Sequence, residues 1–129
     1  MFLDLNFDEV FEPTSKKEGE YQLRVLDCQV KESSKGKGSF LSAKFEIVGE
    51  PTAKDISHVM MLPKAEDDVK QRNKRLFAIQ SFIKACGMDP AASFQPEELV
   101  GHTCWAILTE EQDPEYGTQN RVRRFSVPK

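Results

Sequence analysis

Tyr21-Gln-Leu-Arg-Val-Leu-Asp-Cys-Gln-Val-Lys-Glu-Ser-Ser-Lys-Gly-Lys-Gly-Ser-Phe-Leu-Ser-Ala-Lys-Phe-Glu-Ile47 reads as two strand-like runs joined by a glycine-rich loop. In the first run the apolar parity switches. Tyr21, Leu23 and Val25 fall on one face, whereas Leu26, Cys28 and Val30 fall on the other. A bulge near Val25 and Leu26 reconciles the two sets by turning both inward, as in a strongly curved barrel strand. The second run, Phe40 to Ile47, alternates regularly and leaves Ser42, Lys44 and Glu46 to face outward. Between them, Ser33 to Ser39 combines free backbone at Gly36 and Gly38 with mobile charge at Lys35 and Lys37. That loop favours a polyanion over a small uncharged ligand.

Working outward, a shorter strand is expected from Ile56 to Leu62, stopped by Pro63. Ala65 to Cys86 carries helical spacing in Val69, Leu76, Ile79, Ile83 and Cys86, with Phe82 beside them. Glu66, Asp67 and Asp68 would occupy its first turn, Gly87 its C-terminal cap and Pro90 a stop. A connection from Met88 ends at Leu99-Val-Gly101. Thr103 to Thr109 forms a fourth strand, Asp113 to Gly117 a loop, and Asn120 to Val127 a fifth strand. The order predicts a mainly β protein of the OB-fold type: a five-stranded, partly open barrel with one helix between strands three and four. Residues 1–18 read as an acidic N-terminal arm and 19–129 as the OB-fold domain. The arm sets Phe2, Phe7 and Phe11 among acids, to pack on the domain or on a partner.

The 129 residues suit one core, with 39% apolar and 30% charged side chains. No apolar run approaches the roughly 20 residues needed to span a bilayer. The acidic start lacks the basic and small-residue signature of a signal peptide. Cys28, Cys86 and Cys104 match neither a disulfide framework nor a C-x-x-C metal pair, which predicts small buried hydrophobes and a cytoplasmic setting. The net charge of −3 argues against indiscriminate nucleic-acid binding, but the bases are clustered. They gather at Lys31, Lys35, Lys37 and Lys44; at Lys70, Arg72, Lys74 and Arg75; and at Arg121, Arg123, Arg124 and Lys129. Such segregation can build a basic groove on an acidic protein.

Signatures of catalysis are missing. Gly36-Lys-Gly-Ser39 lacks the Walker spacing and is followed by a strand. His102 and Cys104 share a strand face, yet no third metal ligand accompanies them. Glu66, Asp67 and Asp68 fit an acidic helix start better than a hard-cation site. No nucleophile and base pair stands out, and no cofactor is implied. Residues for binding single strands are better supplied, since such binders need cations along the backbone and flat rings for bases. Lys35, Lys37, Lys44, Arg121 and Arg123 supply charge; Phe40, Tyr116 and Trp105 supply rings. The plainer readings are solvated loop lysines, Trp105 and Phe125 in the core, and Arg121 and Arg123 paired with Glu110 and Glu111.

Phe11-Glu-Pro-Thr-Ser-Lys-Lys-Glu-Gly-Glu-Tyr21 leads into the first strand, and the Lys/Gly loop opens onto Phe40-Leu-Ser-Ala-Lys-Phe-Glu-Ile-Val48. Ala85-Cys-Gly87, Leu99-Val-Gly101, Tyr116 and Asn120-Arg-Val122 continue the pattern over nearly the whole chain. On these residues the layout resembles a small phage-encoded family grouped as a domain of unknown function, and the related OB-fold single-stranded DNA-binding proteins of tailed phages. The tail departs from many single-strand binders, ending Arg123-Arg-Phe-Ser-Val-Pro-Lys129 in place of an acidic tip. The resemblance implies a non-enzymatic protein that binds single-stranded DNA in phage replication or recombination, in the cytoplasm of a bacterial host. Contact with replication or recombination proteins and homo-oligomerisation stay open. The alternative is an OB-fold interaction module that docks a host or phage enzyme through its acidic arm.

Overall fold

The computed structural model describes residues 3–8, 10, 12–33, 38–90 and 94–126. Five antiparallel strands form one sheet: β1 (Gly19–Glu32), β2 (Ser39–Ile47), β3 (Ile56–Met61), β4 (Thr103–Asp113) and β5 (Gly117–Ser126). Among the described residues one α-helix, α1 (Val69–Ala85), lies between β3 and β4, and a 3₁₀ turn, Pro96–Leu99, follows it. The sheet order is β3-β2-β1-β4-β5. The sheet curls so that its two edge strands, β3 and β5, come within 8 Å of each other between Cα atoms.

The curl begins where the parity of the first strand switches. The β1–β2 register jumps between Val25 and Asp27, leaving Leu26 as the bulged residue. Leu23, Val25 and Cys28 are consequently all buried despite their uneven spacing. The expectation of two fully inward sets is too generous, however. Leu26 sits on the bulge itself and stays 37% exposed, and Val30, past the part of β1 that pairs with β4, stays 52% exposed although its partner Leu41 is buried.

β2 turns Leu41, Ala43, Phe45 and Ile47 inward and Lys44 outward, as its alternation requires. These join Ile56, Met60, Leu99, Ala106 and Leu108 in one core. At its centre Phe82 of α1 meets Phe45 edge-on at 5.7 Å and Phe125 at 5.0 Å between ring centroids. Cys28, Cys86 and Cys104 are buried and unbridged. Burial pushes the Cys28 thiol up to about 12, and a hydrogen bond with Cys104 raises that of Cys86 further. The Cys28 and Cys86 thiols therefore stay protonated and behave as small apolar groups.

The helix is shorter than its periodicity predicts. It starts at Val69 because Asp68, in extended backbone, caps it by accepting from the Gln71 amide at 2.7 Å. Glu66 and Asp67 precede the first turn and do not form it. Asp67 instead accepts from the Lys64 amide and pairs with Arg75 at 2.9 Å, tying the entry loop to the helix. Only the C-terminal half is held by the core, through Ile79, Phe82, Ile83 and Ala85; Val69 and Leu76 are exposed. Gly87, at φ +79°, closes the helix while its amide and that of Met88 donate back to Lys84 and Ile83. None of the helices among the described residues is long and apolar enough to cross a membrane.

The root of the N-terminal arm is bonded to the sheet. Thr14 bridges Ala53, and Lys16 is held by Asn120 on β5 through paired 2.8 Å hydrogen bonds to its backbone amide and carbonyl. Asn120, 3% exposed, also donates to the Thr109 carbonyl at 3.2 Å. Its amide thus imitates a strand pairing. Asn120→Ala is expected to lower stability by about 1–3 kcal/mol, because it strands backbone groups away from water. Urea denaturation measures the loss, and faster hydrogen exchange at the Lys16 amide locates it.

Candidate nucleic-acid interface

The β4–β5 hairpin ends in a tight turn, Pro114–Tyr116, built by Asp113. Its Oδ1 accepts from the amides of Glu115 at 2.8 Å and Tyr116 at 3.0 Å. Those bonds, that of Tyr116 foremost, hold the Asp113 carboxyl below its usual range. Gly117 takes φ +76° at the exit, a conformation that L side chains rarely adopt. From the β2–β3 connection Lys54 Nζ donates to the carbonyls of Tyr116 at 3.1 Å and Thr118 at 3.0 Å. The turn is therefore fixed, and it presents the Tyr116 ring 65% exposed.

Beside that ring, where β3 and β5 approach, lies an open groove of about 450 Å³. Tyr116, Gln119 and Arg121 line one side, and Ser57, His58 and Val59 the other. Val59 is half exposed, so the groove offers an apolar wall opposite a cation and a ring. Lys44 adjoins it, paired in register with Ser57 on the same outward face. Further along this face Phe40, half-buried, stands opposite Met61 of β3 and Lys31 of β1. An outward track thus runs along β2 and β3 from Phe40 past Lys44 to Tyr116.

The expected site residues divide over this geometry. Tyr116, Arg121, Lys44 and Phe40 share the track. Lys35 and Lys37 lie outside the described residues. Trp105 is not core: it is 49% exposed, on β4 between Gln22 and Ser126, with the Arg24–Glu46 ion pair between it and the track. Arg121 and Arg123 line different hollows. The β4–β5 register shifts between Ile107 and Leu108, which leaves Arg123 as the bulged residue. Arg123 lines a separate depression with Arg124, Phe125 and Phe77. Phe125 is half-buried and packs against the core, as expected.

The cations on the track have exposed carboxylate neighbours. Arg121 lies 3.4 Å from Glu111, the cross-hairpin pairing the sequence offers, and Lys44 lies 3.8 Å from Asp55. Exposed pairs of this kind contribute about 0–1 kcal/mol, so a phosphate can displace the acid at little cost. Among the described residues no group of three or more metal-binding side chains converges. His102 Nδ1 instead lies 3.2 Å from the Cys86 carbonyl oxygen.

Ser57, Val59 and Lys54 escape a reading of the sequence. Ile56 to Met61 is apolar at both parities, so alternation does not single out Val59 as the outward residue. Lys54 acts through a contact between distant segments that no local pattern encodes.

His58 is the residue common to the groove, the Arg123 depression and a third hollow beside Met61 and Lys74. Its ring meets Phe125 edge-on at 5.4 Å, and burial lowers its pKa from the usual 6.5. The charged residues lining these hollows are all cations: Lys74, Arg75, Arg121, Arg123 and Arg124. The unfolded chain therefore takes up the His58 proton more readily than the folded one. Stability is complete above 6.5 and falls as the pH drops from 6.5 towards the folded-state value. Melting temperatures from pH 7.5 to 5.5 are expected to fall more steeply for the parent than for His58→Gln, which carries no titrating ring.

No protein-family model matches this chain, and no curated protein matches it.

Proposed function

We propose that this chain is an OB-fold module that binds single-stranded DNA with little regard to sequence, in phage replication or recombination. The strand order, the approach of β3 to β5 and the position of the helix support the OB reading. The observation that carries the functional reading is the single groove that sets the Tyr116 ring, the Arg121 guanidinium and the Val59 wall side by side. A base stacks on Tyr116 against Val59, while Arg121 and Lys44 follow the adjoining phosphates. Phe40 offers a second ring at the far end of the track. Lys35 and Lys37 enter this proposal on sequence grounds alone, from the loop that leads into β2. The roles are of binding and positioning, with no bond made or broken.

The test is fluorescence anisotropy of a labelled oligo-dT over a salt series, with duplex DNA as competitor. For two to four phosphate contacts on a single strand, raising salt from 50 to 200 mM is expected to weaken binding roughly seven- to fiftyfold. The duplex should fail to displace the strand. No binding at low salt, or affinity indifferent to salt, would overturn the proposal.

A further inference from the structure

Two surfaces of this chain match each other, and no other described segment covers either. The first is the arm. Leu3, Leu5, Phe7 and Val10 are 73, 63, 70 and 65% exposed, so the expected packing of the arm on its own domain does not extend to Phe7. Phe2 and Phe11 lie outside the described residues. Along Leu3-Asp-Leu-Asn-Phe-Asp8 apolar and polar residues alternate. In the free chain the stretch turns at Asp8, where the Val10 amide donates to the Phe7 carbonyl at 3.3 Å; drawn out on a partner, it would place Leu3, Leu5 and Phe7 on one edge and Asp4, Asn6 and Asp8 on the other.

The second surface is the depression between α1 and the end of β5, about 370 Å³ in volume. Its walls are Phe77, itself 65% exposed, with Val122 and Phe125, and its rim carries Arg123 and Arg124. Among the described residues no carboxylate pairs with either arginine. The volume lies within the range of pockets that enclose a bound group. Bare cations around an apolar hollow fit an acidic, apolar strand, and the arm has that composition.

We propose that this depression binds the N-terminal arm of a second copy of the chain, with Phe7 entering beside Phe77 and Asp4 and Asp8 meeting Arg123 and Arg124. The arm's own root points elsewhere. Lys16 is fixed at Asn120 near the start of β5, and the chain then runs to Thr14 at Ala53, ahead of β3. The depression sits at the other end of β5. Each copy has one arm to give and one depression to fill, so every chain can act as donor and acceptor. The proposal stands apart from the nucleic-acid reading, and its test contains no nucleic acid.

That test is light scattering of the full chain at low salt over a concentration series. The parent is expected to exceed its 14.7 kDa monomer mass as concentration rises. Two double variants, Asp4→Lys with Asp8→Lys and Arg123→Glu with Arg124→Glu, should each stay monomeric. The four positions are exposed, so circular dichroism should find both variants folded. Mixed together, the variants should associate again, because one retains the native arm and the other the native depression. A parent that remains monomeric throughout, as it would if each arm filled its own depression, overturns the proposal. Association of the arm variant at parental strength overturns it too, as does a mixture that stays monomeric.

Discussion

Phe82→Ala is expected to lower the unfolding free energy by about 3–5 kcal/mol, the largest loss from any substitution considered for this chain. Phe82 is completely buried, and it is the side chain through which the helix meets both Phe45 of β2 and Phe125 of β5. Removing the ring deletes two aromatic contacts and opens a cavity that these rigid strands cannot close. Against a typical domain stability of about 5–15 kcal/mol, the variant should be marginal. Urea denaturation followed by circular dichroism measures the loss. Leu76→Ala, on the same helix but 45% exposed, provides the contrast and should change stability by only about 0.5 kcal/mol. Equal losses at the two positions would mean that the helix packs along its whole length.

The second large effect concerns binding. Tyr116→Ala is expected to weaken oligo-dT binding by about 1–3 kcal/mol, a factor of roughly 5 to 150 in Kd. The ring is exposed, so the melting temperature should hardly move. Tyr116→Phe should keep most of the affinity, because stacking uses the ring face and not the hydroxyl. An affinity unchanged in Tyr116→Ala would remove the ring from the interface and leave Arg121 and Lys44 as the remaining contacts to test. Reading stability and affinity together separates this result from that of Phe82→Ala, where affinity falls only because the folded population does.

Much of the architecture is legible in single side chains. The parity switch at Val25 and Leu26 announces the bulge, since a strand with a period of two cannot bury Leu23, Val25 and Cys28 without an extra residue. Gly87 announces the end of the helix, because the backbone there needs a positive φ. The Lys44 side of β2 is readable as outward from alternation alone. The ends of the helix and the fate of its first half are less legible. Val69 and Leu76 repeat at the same spacing as Ile79 and Ile83 but face solvent, because helical period records which residues share a side and not how far the sheet extends beneath them.

The site follows the same division. The residue types for binding a polyanion, with Tyr116 on a turn and Arg121 on the strand after it, are properties of the sequence, set by turn chemistry and alternation. Which of them meet is a property of the tertiary structure. The bulge at Arg123 is one inserted residue in a register defined by β4, and it sends two arginines that look equivalent into different hollows. Val59 joins Tyr116 only because the curled sheet brings β3 to β5, a pairing of segments far apart in the chain. Local patterns determine the elements and their inward faces, because backbone geometry is local. The groove is decided by closure of the sheet, because closure depends on packing between residues that no local pattern links.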